Sequence, residues 1–309
     1  IVVDVTAVFR VADGWLVYVR PWFREPRVPR PTNPENWEKE IYQAALQYER
    51  TGRISTRVDA GYIASPVGLG MMDTRPGVNP TIAPHMSYLQ PMPWFESGSP
   101  RVGAIASTYP LGTQVTFSTG VWDARTAVVA SAPTRTYVIN KDGNPRATPV
   151  IVAGAGVTPT MGLRVGGAFA AGDYATGEEL TVPEAEGRGF RLVNIEGEYA
   201  FGYTKVSGEV TRTEFDVMAG KAVARAWFLQ AAHTLSPRWF VAGRQEGVSA
   251  PLFGVAGARR HFHMSEATLG YRLSHDLTLR TSFVARKAYT RSEWDQQAGA
   301  SIVWTRRWW

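Results

Sequence analysis

The 309-residue sequence contains no cysteine and no long apolar run. Without thiols, disulfide bonds and thiolate metal sites are excluded. The longest uncharged stretch, 147–163, is interrupted by three glycines and two prolines, so it does not resemble a membrane-spanning helix of about 20 apolar residues. A chain of this kind can cross a membrane only with strands, which need about 9 to 11 residues each.

Alternation of polar and apolar residues is the main pattern that is present. Between 266 and 273, Glu266 and Thr268 share one strand face, while Ala267 and Leu269 share the other. The pattern recurs in about 16 segments, with 14 or 18 as alternatives. The predicted segments are 3–10, 15–20, 42–49, 53–62, 102–107, 114–119, 125–130, 150–157, 163–171, 190–201, 203–215, 222–234, 238–249, 262–273, 277–287 and 296–307.

Short turns alternate with long connections along these segments. Ser236-Pro237 is tight, whereas 172–187 and 250–261 are long, an asymmetry typical of membrane barrels. We therefore expect an all-β chain that forms a transmembrane antiparallel up-and-down β-barrel, with 1–309 as a single domain. Because the sequence does not start with methionine, we expect a signal peptide to have been removed or to lie outside it.

Aromatic residues favour the same interpretation. Many of the eleven tryptophans lie near segment ends, where membrane interfaces concentrate Trp and Tyr. The alternative is that they fill the core of a soluble β-protein.

Two segments carry a family resemblance. Ala60–Gly103, AGYIASPVGLGMMDTRPGVNPTIAPHMSYLQPMPWFESGSPRVG, resembles the phosphate-selective porin family, in which a strand runs into a Pro-Phe-Gly-Leu-type element before a long loop. Leu235–Pro251, LSPRWFVAGRQEGVSAP, is similar to strand-turn-strand units of such porins. Together they cover less than a quarter of the chain. The resemblance implies a transport barrel, but phosphate selectivity would imply a lysine-rich ladder, and this chain has few lysines.

The polar faces predict which residues line a pore. The candidates are Arg20, Arg53, Arg57, Asp59, Arg164, Lys205, Glu209, Arg244, Arg272, Arg280 and Arg286. Further acidic residues on these faces are Asp4, Glu49, Glu196, Glu198, Glu246 and Glu266. With a formal net charge of +6, such a mixed lumen predicts at most a weak anion preference, or recognition of polar solutes that need hydrogen-bond donors and acceptors together. The alternative is that these charges pair across strands and stiffen the wall.

Residues 66–100 form a loop much longer than the usual connection of about 4 to 6 residues. We expect it to act as a constriction or a plug in the pore, and its candidate residues are Asp73, Arg75, His85, Tyr88, Trp94 and Glu96. An external flap without pore contact is the alternative.

Enzymatic and nucleic-acid functions have weaker support. His261 and His263 share a strand face, which is compatible with a metal site, but no further ligand is identifiable. A hydrolase would pair a serine nucleophile with a histidine base, and Ser236 lies near His233 in the sequence. However, Ser236 is expected to be a turn residue. The arginines are scattered, so nucleic acid is not expected. We predict neither a metal nor a cofactor.

The sequence thus predicts a bacterial outer-membrane porin for passive diffusion of small hydrophilic solutes. A preference for anionic solutes is an open part of this prediction. The expected partners are outer-membrane lipid and lipopolysaccharide, with a homotrimer or a partner protein as open options. The runner-up is a structural or assembly barrel with a plugged lumen that anchors a partner protein.

Overall fold

The computed structural model describes residues 2–24, 38–69, 78–93, 101–105, 109–130, 149–177, 180, 187–218, 220–252 and 259–305. In these ranges the chain forms sixteen strands and one short helix, α1 (Met86–Leu89). The strands are β1 (Val2–Asp4), β2 (Ala7–Ala12), β3 (Trp15–Arg24), β4 (Glu38–Arg50), β5 (Ser55–Tyr62), β6 (Leu111–Ser118), β7 (Trp122–Val129), β8 (Val150–Thr160), β9 (Leu163–Ala175), β10 (Arg188–Phe201), β11 (Thr204–Val217), β12 (Gly220–Thr234), β13 (Trp239–Pro251), β14 (Arg259–Arg272), β15 (Leu277–Lys287) and β16 (Asp295–Trp304).

Every strand from β3 to β15 pairs antiparallel with the next one in the chain. β1 and β2 pair with opposite ends of β3, so they share one position in the up-and-down sheet. Every second connection, starting with β2 to β3 and ending with β14 to β15, has two to four residues. We call this edge of the sheet the short-turn end and the opposite edge the long-loop end.

The two faces of the sheet differ in chemistry. On β14, Glu266 and Thr268 are buried on the inner face, whereas Leu269 on the outer face is 43% exposed. Outward residues elsewhere include Ile195 and Val210, both more than 60% exposed. Apolar side chains thus face outward and polar ones inward, the reverse of a water-soluble protein.

The inner face is not polar along its whole height. Toward the long-loop end it becomes apolar, with buried side chains such as Phe190, Phe215 and Phe262. Val67, Met92 and other residues between β5 and β6 pack into the same cluster. The interior therefore has an apolar half at the long-loop end and a charged layer nearer the middle.

The predicted number of strands is confirmed, although two details of the prediction are wrong. The first predicted segment is two strands, since Val5 and Thr6 interrupt it. Segment 102–107 is not a strand over its described part: Val102 makes only an isolated bridge and is buried in the apolar cluster. All four residues of 102–105 are buried, so this apolar run belongs to the core.

No helix in the described ranges has the length and apolar character needed to cross a membrane.

Candidate functional site

One segment of the long connection between β5 and β6 lies against the middle of β13 and β14. Glu266 accepts hydrogen bonds from the amides of Ile82 (2.8 Å) and Ala83 (3.0 Å). Arg244, opposite Glu266 on the next strand, donates to its carboxylate at 3.0 Å and to the carbonyls of Ala83 and Pro84. Because both charged side chains are fully buried, these contacts replace the water that the charges lost.

A second carboxylate binds the start of α1. Glu246 accepts the amide hydrogens of Met86 at 3.0 Å and Ser87 at 2.7 Å. Amides in the first turn of a helix have no partner within the helix, so this carboxylate on β13 satisfies two of them. The helix is thereby fixed to the inner face.

A third carboxylate, Glu209 on β11, binds two separate parts of the same connection. It accepts the Leu69 amide at 2.8 Å and a hydrogen bond from the Tyr88 hydroxyl. Tyr88 is completely buried. Glu209 thus joins the beginning of the connection to its helix.

Arg280 on β15 completes this set. It donates to the carbonyls of Asn79 (2.6 Å) and Thr81 (3.0 Å) and to the Ser301 hydroxyl of β16 (3.0 Å). We call Glu209, Arg244, Glu246, Glu266 and Arg280 the loop clamp. The clamp binds mainly backbone groups, so the loop is positioned by its conformation more than by its side-chain identities.

His85 precedes α1 and is fully buried, with its ring 4.5 Å from the ring of Phe228 in an edge-to-face arrangement. Neither ring nitrogen has a hydrogen-bond partner among the described residues. Burial lowers the pKa of His85 well below its ordinary value, and the charge of Arg244 lowers it further. The imidazole is therefore neutral when the loop is in place.

A second charged cluster lies on β7, β9 and β10. Arg164 donates to both carboxylate oxygens of Asp123 (2.7 and 2.8 Å) and to Glu196 at 2.9 Å, while Arg125 donates to the other oxygen of Glu196 at 2.9 Å. We call these four residues the wall network. Its positive and negative side chains alternate and lie over the inner surface of β8, the strand between β7 and β9.

Two glycines of β8 make this flat arrangement possible. A Cβ atom at Gly156 would lie 2.6 Å from a guanidinium nitrogen of Arg164 and 2.7 Å from a carboxylate oxygen of Asp123. A Cβ at Gly154 would lie 2.9 Å from Nε of Arg125. The close packing expected for such strand glycines here accommodates charged side chains.

Two cavities border the long connection. One, of about 60 Å³, lies beside residues 63–68, and Arg57, Asp59 and Arg125 are among the residues that line it. The other, of about 160 Å³, is lined by Val78, Pro80, Lys205, Ser207, Gln230 and Ala232. Both lie between the loop and the inner face.

The structure brings several predicted pore residues together and separates others. Glu209, Arg244 and Arg280 belong to the clamp, while Arg164 belongs to the wall network. Arg57 pairs with Asp59 at 2.8 Å.

The remaining predicted pore residues are not part of the clamp. Arg20 donates to Asp4 and to the Tyr109 hydroxyl, Lys205 pairs with Glu198, and Arg286 pairs with Asp295. Arg272 lies over the Phe240 ring near the short-turn end. Arg53 lies in the turn before β5 and is exposed.

Of the predicted constriction residues, His85 and Tyr88 lie inside, against the inner face. Asp73, Arg75, Trp94 and Glu96 lie outside the described residues. The described parts of 66–100, namely 66–69 and 78–93, contact β11 to β15, so over these parts the external-flap alternative is wrong.

Arg125 and Gln114, which border the smaller cavity, were absent from the predicted pore residues. The sequence contained the information needed to find Arg125, because Asp123, Arg125 and Ala127 are two residues apart and therefore share one strand face. Beginning the predicted strand at 125 instead of Trp122 concealed this face. The backbone contacts of the clamp have no counterpart in sequence patterns.

The two histidines of β14 face outward and stack with ring centroids 6.1 Å apart. In the described part of the chain, no group of three or more potential ligands could hold a metal ion. His233 bonds to Thr204 at 2.7 Å, and Ser236 stabilises its own turn through the Trp239 amide.

Comparison with solved structures identifies the fold. The loop L8 deletion mutant of OmpT, an outer-membrane protein of Vibrio cholerae, matches with a TM-score of 0.57 at 10% identity over 98% of this chain and 89% of that chain. An anion-selective porin from Comamonas acidovorans matches with 0.57 at 13% over 97% and 83%. The outer-membrane channel DcaP of Acinetobacter baumannii matches with 0.59 at 8% over 98% and 84%. The chain therefore has the fold of outer-membrane porins.

No protein-family model matches the sequence, and no curated protein matches it significantly.

Proposed function

We propose that this protein is a bacterial outer-membrane channel through which small hydrophilic solutes diffuse, with the 66–100 loop narrowing the passage. The loop clamp carries the proposal, since buried charges of β11 to β15 hold the loop inside the sheet. The apolar outer face and polar inner face support a membrane location. Outer-membrane lipid, lipopolysaccharide and a homotrimeric assembly belong to the same proposal.

A weak anion preference is the selectivity that the arginines beside the loop favour. Arg57 and Arg125 both line the cavity beside the loop, and charges in a narrow gap act strongly on a passing ion. Asp59 and Glu196 pair with these arginines and limit the preference. Selectivity for phosphate itself stays a prediction from the family resemblance.

Planar-bilayer recording of the purified protein tests the channel directly. We expect an ion current in the wild type and a shift of the reversal potential toward cations in Arg57→Glu. Arg50→Glu is the matched control, because Arg50 is an exposed arginine at the end of β4 with the same change of charge. An unchanged reversal potential in Arg57→Glu would place this residue outside the ion path.

The alternative, a plugged barrel that anchors a partner protein, is favoured by one observation. The apolar cluster fills the interior toward the long-loop end and includes Val67, Tyr88 and Ile105 from the long connection. A wild-type protein that inserts into bilayers but carries no current at any voltage would favour this alternative.

A further inference from the structure

The larger of the two cavities lies between the loop and strands β11 and β12, on the short-turn side of Glu209. Its lining comes from the loop on one side and from the two strands on the other: Val78, Pro80, Lys205, Ser207, Gln230 and Ala232. A cavity can hold one water molecule from about 10 to 15 Å³ upward, and this one measures about 160 Å³. It therefore has room for a solute with several non-hydrogen atoms.

Gln230 supplies a hydrogen-bond acceptor at the inner end of this cavity. Its side chain is 4% exposed, and its Oε1 atom has no hydrogen-bond partner among the described residues. A buried carbonyl oxygen without a donor destabilises a fold, and a donor that enters the cavity would satisfy it. Ser207 lies opposite Gln230 in register and is also buried. The inner end thus fits a ligand group that donates hydrogen bonds.

Lys205 lies at the outer end of the cavity, at the second position of β11. Among the described residues that line the cavity, it is the charged one. Its side chain is half exposed, and its ammonium lies 2.9 Å from the carboxylate of Glu198. An ammonium group has three donors, so Lys205 can bind a solute carboxylate while it keeps this pair. The outer end thus fits an anionic group.

The loop clamp lies beyond the inner end and carries a net negative charge. It contains three carboxylates and two guanidinium groups, which leaves one negative charge. Glu209 is two positions from Ser207 on the same face of β11. Arg244, opposite Gln230, is bound to Glu266 at 3.0 Å. The inner end therefore favours a positive group over a negative one.

The wall network, on the other side of β10, adds no net charge. Arg164 faces Glu198 in register, but Asp123 and Glu196 bind its guanidinium group. With Arg125, the network has two positive and two negative side chains. A ligand that carries both charges, with no net charge, is the one that these surroundings favour.

The remaining lining residues are apolar. Val78, which is 51% exposed, Pro80 and Ala232 present aliphatic atoms to the cavity. A small aliphatic group that covers them removes apolar surface from water. The cavity thus combines a site for an anionic group, a site for a cationic donor and an apolar surface.

We infer that this cavity binds a small zwitterionic α-amino acid with an aliphatic side chain. The carboxylate accepts from Lys205, and the ammonium donates to Oε1 of Gln230 and to the Ser207 hydroxyl. The aliphatic side chain packs on the apolar surface. The inference goes beyond diffusion through the proposed channel, because binding here requires the docked loop and no conduction.

Saturation-transfer NMR of L-valine with the purified protein in detergent micelles measures this binding. We expect saturable binding of L-valine and about 10-fold weaker binding of two analogues, because each lacks one charge-assisted hydrogen bond. Isovalerate has the same carbon skeleton without the ammonium, and isobutylamine lacks the carboxylate.

Lys205→Met should raise the Kd for L-valine about 10-fold, because the carboxylate loses its cationic donor. The matched control is Lys221→Met. Lys221 is similarly half exposed and lies 3.7 Å from a carboxylate, that of Glu214, but it is on the outward face of β12. This control should bind like the wild type.

Gln230→Leu removes the acceptor at the inner end and should also raise the Kd about 10-fold. Gln43→Leu is its control, because Gln43 is a buried glutamine on β4, outside the lining of the cavity. If Gln230→Leu does not fold, the two lysine variants decide, since both lysines are half exposed.

Equal binding by Lys205→Met and Lys221→Met, or equal affinities for L-valine and either analogue, would overturn the inference. A wild-type protein without saturable binding would also overturn it and leave water as the occupant of the cavity. Binding of L-valine by a protein that carries no bilayer current would support the site and count against the channel alone.

Discussion

Arg244 and Glu266 face each other on neighbouring strands, 3.0 Å apart and fully buried, and both bind the backbone of Ala83. The Ala83 amide donates to Glu266, and the Ala83 carbonyl accepts from Arg244. The ion pair therefore holds one peptide segment of the loop from two sides. Its removal should affect the position of the loop before it affects the sheet.

Glu266→Gln tests this relationship. The change leaves Arg244 with only its longer ionic contact to Glu246, at 3.6 Å in the same buried site, and loss of a buried partner costs about 3 to 5 kcal/mol in comparable pairs. We expect larger and more variable single-channel currents, because the loop is released more often, together with a lower temperature of unfolding.

Glu198→Gln is the control for that variant, since the Lys205–Glu198 pair is partly exposed. Pairs of this kind contribute about 0 to 1 kcal/mol, so its currents and unfolding should resemble the wild type. Equal effects of the two substitutions would contradict a specific role of Glu266.

The Tyr88 hydroxyl gives a second, smaller perturbation of the loop. Tyr88→Phe removes a buried hydrogen bond to Glu209 and should destabilise the protein by about 1 to 3 kcal/mol, measured by denaturant or thermal unfolding. Tyr289→Phe removes a buried hydroxyl that has no partner among the described residues, so it should be neutral or slightly stabilising. The reverse order of stabilities would show that Tyr88 acts only through its ring.

Acidic pH should loosen the loop through His85. Because burial lowers the pKa of His85 below its ordinary value of 6.5, the released loop binds protons first as the pH falls. Stability of the docked loop is thus complete above about pH 6.5 and is lost progressively below it. We expect current fluctuations to increase in recordings between pH 7 and pH 4.

His85→Phe retains an aromatic ring without the titration and should flatten this pH profile. His275→Gln, at a fully exposed histidine in a turn, should keep the wild-type profile. A profile that persists in His85→Phe would assign the pH effect to other groups.

The glycines of β8 offer a test of the wall network. Gly156→Ala places a methyl group where Arg164 and Asp123 lie, so these side chains must move and stability should fall by about 1 to 3 kcal/mol. Gly120→Ala is the control, because nothing lies within 4 Å of its Cβ position. Circular dichroism melting of the two variants should separate them, and equal melting would mean that the network adapts freely.

Much of the strand pattern could be predicted because alternation is a local property. Glu266, Thr268, Ala267 and Leu269 lie on the faces that their spacing predicts. Prediction was wrong at 102–105, where all four residues are buried and Val102 makes only an isolated bridge. A short apolar run indicates burial, but not whether a neighbouring strand exists to pair with.

The candidate site was predicted only in part. The sequence identified Glu209, Arg244 and Arg280 as inward charges, and His85 and Tyr88 as loop residues of interest. The sequence did not indicate that these inward charges bind the loop. Contacts such as Tyr88 to Glu209 join residues 121 positions apart, and no local pattern connects them. It also missed Arg125, since its partner Glu196 lies three strands away.

The sequence by itself determined an all-β chain with one apolar and one polar face per strand, because side-chain direction follows from backbone geometry alone. Tertiary structure decided what the inward charges do. The loop lies against β11 to β15, and buried carboxylates and guanidinium groups there bind its backbone in place of water.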